Sequence, residues 1–93
     1  MKMPFLIRRI KGSSMLPSLQ PGQIVIGWRF GQPEVGDIII LRHDGLEKIK
    51  RIDKIEGNKL FVLGDNKNES TDSRQFGNID YRQVVARIIW PRS

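Results

Sequence analysis

Short apolar runs rich in β-branched residues, each cut off by glycine, proline or a turn dipeptide, constrain this chain more than any other feature. "QIVIGW" (23–28), "DIIIL" (37–41) and "KLFVL" (59–63) are such runs, and "LEKIKRIDKI" (46–55) alternates imperfectly between the last two. Runs of this length and composition, bounded in this way, read as strands. The C-terminal "DYRQVVARIIW" is expected to hold a helical turn near Tyr81 to Val84 and a last strand at Arg87 to Trp90. Ninety-three residues suffice for one small domain. The expectation is therefore mainly β, a small barrel-like coiled β-sheet, with residues 1–93 forming a single domain.

Two turns set the register. Asp44-Gly45 favours a two-residue type I′ hairpin, which needs positive φ at both positions, and Gly57-Asn58 favours a second hairpin. The first places Arg42 opposite Glu47, Leu41 opposite Lys48 and Ile39 opposite Lys50. The second places Ile52 opposite Leu63, Lys54 opposite Phe61 and Lys50 opposite Asp65. Opposed residues point to the same face of a sheet. Lys50 is therefore expected among Ile39, Ile52 and Leu63, an apolar setting for an ammonium ion. Lys48 shares that face nearer the hairpin end, where water reaches it.

Composition narrows the chemistry. Apolar residues make up 39% of the chain, as in a globular protein. There is no cysteine, which excludes disulfides and thiolate metal sites, and the single histidine, His43, excludes a multi-histidine metal site. No cofactor is expected. The net charge of +6 favours acidic partners, although the cations are scattered rather than blocked. No apolar run approaches the ~18 residues of a membrane span. The N-terminal "MKMPFLIRRIKG" lacks the apolar core and cleavage site of a secretory signal. The chain as written reads as soluble and cytoplasmic, with Phe5 to Ile10 and their flanking cations open to peripheral contact with a membrane surface.

"GSSMLPSLQPG" (12–22) is a loop with almost no charge that sets Ser13, Ser14 and Met15 just ahead of two prolines and a glycine, a composition suited to holding a hydroxyl in a fixed place. A serine hydroxyl is a weak nucleophile until a base takes its proton. His43 precedes the Asp44-Gly45 turn and is expected at a hairpin tip in water, as a turn residue rather than a base. Lysine is the other choice. Burial brings catalytic lysines down to about 7–8, and a shift of about three units corresponds to about 4 kcal/mol, a cost a small domain bears only for a function. Lys50 fits that requirement because its face is apolar. "GDNKNESTDSRQFG" (64–77) is polar, lacks a strand period and is long for a connection in so small a domain, which points to a functional loop. Asp65, Asn66, Ser70, Asp72 and Ser73 can order it by bonding to nearby backbone.

These segments, in this order, resemble the signal peptidase I group of Ser-Lys proteases. "GSSMLPSL" is similar to the Ser-Met-x-Pro box, whose serine is the nucleophile, Ser14 here. "KIKRI" is similar to the strand box whose lysine is the general base, Lys50 here. "GDNKNESTDSRQFG" is similar to the Gly-Asp-Asn box with its later Ser-x-Asp-Ser-Arg, and "VGDIII" to the connecting strand. The likeness covers roughly residues 10 to 90 and implies the signal peptidase catalytic core. It implies that Ser70 orients the Lys50 amine, that Asp72 pairs with Arg74 and Arg51 with Asp65 to hold the loop, and that Met15 packs beside the nucleophile. The backbone N–H of Ser14 would meet the oxyanion. Many relatives add a serine hydroxyl two residues before the nucleophile, a position held by Gly12 here. The chain has no room for the family's membrane anchor and large extra β region. In this, and in "ESTDSRQFG", it looks like the small nickel-type superoxide dismutase maturation proteases, whose nickel belongs to the substrate.

The expected function is thus a serine endopeptidase removing an N-terminal leader from a precursor protein, bound as an extended peptide with small side chains just before the cut. Two alternatives stand beside it. A self-cleaving repressor-type Ser-Lys domain needs a cleavable segment in its own chain, which is hard to fit into the eleven residues before Gly12. A basic β-barrel binding nucleic acid would use Trp28 and Trp90 for base stacking, whereas both are expected to pack in the core.

Overall fold

Ile38, Ile39, Ile40 and Leu41 are consecutive and all buried, so the strand that carries them is covered on both faces. In the computed structural model, which describes residues 3–92, every other strand is arranged around that one. The strands are β1 (Phe5–Arg9), β2 (Ile24–Trp28), β3 (Ile38–His43), β4 (Leu46–Glu56), β5 (Lys59–Leu63), β6 (Ile79–Asp80) and β7 (Val84–Trp90). They form one antiparallel sheet in the order β1-β2-β7-β3-β4-β5-β6. Alternate residues of β3 feed two cores. Ile38 and Ile40 join Leu6, Val25 and Ile88 on one face, and Ile39 and Leu41 join Ile52, Leu60, Val62 and Ile79 on the other.

The sheet coils until its edge strand β1 returns beside β4, where Arg8 donates to both carboxylate oxygens of Glu47 at 2.7 and 3.0 Å. The mainly β, coiled-sheet expectation is met. The strand at Phe5–Arg9 had no sequence-based prediction. Leu6 and Ile10 face inward from it, while Phe5 and Ile7 stay exposed. No helix among the described residues is long and apolar enough to cross a membrane.

The first hairpin has the expected register, with Arg42 opposite Glu47, Leu41 opposite Lys48 and Ile39 opposite Lys50. Its turn has φ 51° at Asp44 and 76° at Gly45, as a type I′ turn requires. The second hairpin pairs Lys54 with Phe61 as expected, but a bulge between Ile52 and Lys54 then shifts the ladder by one residue. Ile52 faces Val62, and Leu63 faces Arg51 rather than Ile52. One unpaired residue flips the face of everything beyond it. The apolar neighbours of Lys50 therefore include Val62 in place of Leu63, and the expected pairing of Lys50 with Asp65 does not form.

Three further expectations need correction. The last strand begins at Val84, three residues before the expected start, although the helical turn at Tyr81–Gln83 is present. Trp90 is 54% exposed and Trp28 is half-buried, so neither is a core residue. Trp28 instead meets Phe5 and Phe30 edge-on at the surface, at ring separations of 5.1 and 5.9 Å. His43 does not sit in open water. It is half-buried and stacks on Phe76 at 4.4 Å.

Candidate active site

Lys50 is placed by strand alternation. On β4 it lies opposite Ile39 on the face of the second core, and only 5% of its surface is exposed. Its Nζ is 2.9 Å from Ser14 Oγ and 3.2 Å from Ser70 Oγ. Ser14 is half-buried in the loop between β1 and β2, while its neighbour Met15 is buried in the first core and anchors that loop. Leu19 N–H donates to the Met15 carbonyl at 2.9 Å, adding a further turn to the loop.

The polar segment after β5 closes over this pair. It contains a 3₁₀ turn at Lys67–Glu69 and the one-turn helix α1 (Ser73–Phe76). Asp72 caps α1, accepting from Arg74 N–H at 3.1 Å, while Gln75 accepts from Asp72 N–H at 2.9 Å. Asp72 is fully buried, and its carboxylate also accepts from Gly64 N–H (2.9 Å), Ser70 Oγ (2.8 Å) and Arg74 Nε and Nη2 (2.9 and 3.0 Å). Burial alone would push this carboxyl up, but the hydrogen bonds from Arg74, Gly64 and Ser70 outweigh it and hold the group well below the usual carboxylate range.

That anion fixes proton positions around it. An ionised carboxylate only accepts, so Ser70 donates to Asp72 and must accept from Lys50. One Lys50 N–H is thereby committed to Ser70, and when the amine is neutral its lone pair is free for Ser14. Burial pushes the Lys50 pKa below the ordinary lysine value. The charge of Asp72 opposes this, and the charges of Lys48 and Arg74 reinforce it. Because Arg74 engages Asp72 directly, the carboxylate has less attraction left for an ammonium at Lys50.

A second ion pair ties the loop to the sheet. Arg51 Nε and Nη2 donate to the two oxygens of Asp65 at 2.9 and 2.8 Å, and Arg51 Nη1 donates to the Gly36 carbonyl at 2.8 Å. The bond from Arg51 holds the Asp65 carboxyl below its ordinary value. The Ser14 N–H makes no hydrogen bond among the described residues. Gly12 has φ 72°, and a side chain there would meet open space.

The structure thus brings together every expected site residue: Ser14, Lys50, Ser70, Met15, and the pairs Asp72–Arg74 and Arg51–Asp65. Three further contributors had no individual role in the sequence reading. Asn66 donates its backbone N–H to the Ser14 carbonyl at 2.8 Å and its side-chain amide to the Ser13 carbonyl at 3.1 Å, strapping the serine loop from across the site. Ser18 donates to Asp65. Gly64 is buried where the two loops touch, and a Cβ there would lie 2.7 Å from the Ser14 carbonyl oxygen and overlap the Ser70 side chain. The Gly-Asp-Asn run was the available signal for Gly64 and Asn66. Gly64→Ala is expected to cost about 1–3 kcal/mol by overpacking and to separate Ser70 from Lys50. Urea unfolding combined with amide chemical shifts at Ser14 and Ser70 checks this, and an unchanged Ser14 signal contradicts it.

A small antiparallel sheet thus delivers the Ser14 hydroxyl to the buried Lys50 amine. The chain belongs to the Peptidase S24-like family, whose model matches residues 4–89. It is similar to two proteins of Arabidopsis thaliana. To mitochondrial ATP-independent inner membrane protease subunit 1b it is 29% identical over 109 residues, covering 85% of this chain and 64% of that protein. To subunit 1a it is 29% identical over 115 residues, covering 88% of this chain and 68% of that protein.

Proposed function

We propose that the chain is a serine endopeptidase in which Ser14 is the nucleophile and Lys50 the general base. The observation that carries this reading is the buried amine 2.9 Å from the hydroxyl. Neutral Lys50 takes the Ser14 proton as Oγ attacks the peptide carbonyl, and the developing oxyanion accepts from the Ser14 N–H. The resulting Lys50 ammonium returns the proton to the leaving amine, which departs and leaves an acyl-serine. Lys50, neutral again, then takes a proton from water as that water attacks the ester, and passes it to Ser14 Oγ as the acid departs, which restores both residues.

The approach to the pair suits an extended peptide. Among the described residues, β1 pairs only with β2, and β4 pairs with β5 only from Arg51 onward, so Leu46–Lys50 and Phe5–Arg9 each keep one unpaired edge there. Both edges line the groove that reaches Ser14, and a strand laid between them would gain main-chain hydrogen bonds on either side. The substrate in this reading is a precursor protein presenting an unfolded leader with small side chains before the cut. A nickel superoxide dismutase precursor is one candidate, on the likeness of "ESTDSRQFG" to the small maturation proteases. As the relatives' names state for those proteins, no ATP is needed. Exposed Phe5, Ile7 and Trp90 support peripheral contact with a membrane.

The test is incubation with candidate precursors and reading of the cut by mass spectrometry. Cleavage should rise with pH through the Lys50 pKa, because only the neutral amine accepts a proton. Since that pKa is lowered, the plateau is expected below the ordinary lysine range. A rate independent of pH between about 6 and 9 contradicts a lysine base.

A further inference from the structure

The groove that ends at Ser14 and Lys50 has a volume of about 450 Å³, and its charge is one-sided. Arg8, Arg9, Lys11 and Lys48 line it, and Glu47 is the one carboxylate among the described residues that line it. Glu47 is already engaged. Arg8 holds both of its oxygens, and Arg42 lies 3.7 Å away. Among the described residues, Arg9, Lys11 and Lys48 form no ion pair. Arg9 donates to the Gly22 carbonyl, and the Lys48 ammonium lies 5.8 Å from the centre of the Phe76 ring. Three cations without a carboxylate partner therefore line the groove along both walls, Arg9 at the end of β1, Lys11 just after it and Lys48 on β4. A cleft lined by one sign of charge concentrates its field on whatever enters.

Resting on the peptidase reading above, we propose that this groove selects substrate segments bearing an acidic side chain, held by Lys11 and Lys48 close to the cut bond. The strand fixes the distance. Lys48 lies two residues from Lys50 on the same face of β4, about 7 Å at the usual rise. A peptide running beside β4 keeps the same rise, so its acidic residue falls about two positions from the scissile carbonyl.

Binding and cleavage are read separately. Short end-capped peptides, identical except for a single Glu or Gln walked along the segment, are titrated into Ser14→Ala protein by fluorescence anisotropy and incubated with the wild type. Glu at one or two neighbouring positions is expected to bind about tenfold more tightly than Gln, as a charge-assisted contact does. The preference should shrink with added salt and disappear in a Lys11→Gln, Lys48→Gln double variant. Neither lysine is buried, and circular dichroism checks that the double variant is folded.

Equal binding of Glu and Gln peptides at low salt, or no binding of any Glu peptide, overturns the proposal. So does a double variant that loses adsorption to anionic vesicles while keeping the Glu preference. Charge-selective binding without wild-type cleavage would sustain the acidic-ligand site and remove the peptidase reading instead.

Discussion

Ser14→Ala and Lys50→Met are each expected to reduce cleavage by at least about a thousandfold, as loss of a nucleophile or its base does, while the sheet remains intact. The two variants should differ in stability. Ser14→Ala removes a half-buried hydroxyl and should be close to neutral. Lys50→Met removes an amine whose ammonium form is disfavoured by burial, so the variant should be more stable than the wild type at neutral pH, by about 0.5–2 kcal/mol. The sign follows from linkage. With the folded pKa below that of the unfolded chain, the unfolded state binds more protons between the two values, and wild-type stability rises with pH across that window. The advantage of Lys50→Met is therefore full below the folded pKa and shrinks as pH approaches the unfolded value of about 10.5. Urea unfolding of both proteins over this range checks it. Retained activity in a folded Lys50→Met protein, or a stability deficit at every pH, contradicts a buried lysine base.

Asp72→Ala is expected to give the largest loss of stability. Five hydrogen bonds converge on this fully buried carboxylate. Without it the buried Gly64 N–H loses its acceptor, Arg74 loses its partner and α1 loses its cap. A cost of about 3–5 kcal/mol follows from breaking a buried charged network. Activity should fall as well, because Ser70 would no longer be held under the Lys50 amine. Here the linkage runs the other way. The carboxyl is depressed in the fold, so its contribution is complete above the unfolded value of 3.8 and is lost as pH falls through the folded one. The stability gap between wild type and Asp72→Ala should thus be widest near neutral pH and narrow in acid. A gap unchanged at about pH 3 would mean that the charge of Asp72 does not stabilise the fold.

How much of this was legible depended on how local the signal was. The Asp44-Gly45 turn determines its own hairpin, so Lys50 could be set against Ile39 from residues within a few positions of the turn. The bulge at Asp53 has no comparable marker. It inserts one residue into an ordinary strand sequence, and its effect on Leu63 appears only once the partner strand is in place. β1 was hidden for a different reason. Its alternation puts Leu6 inside but leaves Phe5 and Ile7 outside, so "FLIRR" reads as an apolar tip with cations rather than as a half-buried strand. The candidate site residues were legible as an ordered set of boxes because each retains its neighbours in sequence. Their mutual contacts were less so. Asn66 reaches back to Ser13, 53 positions earlier, through a close approach that exists only in three dimensions.

The strand with both faces covered, β3, has a thermodynamic consequence. Ile38 and Ile40 cannot leave one core without pulling Ile39 and Leu41 from the other, so neither half of the molecule can open alone. Melting should be a single all-or-none event, and amide protons of β3 should exchange with solvent only through complete unfolding. A ligand clamped at the serine loop would then slow hydrogen exchange in strands it never touches.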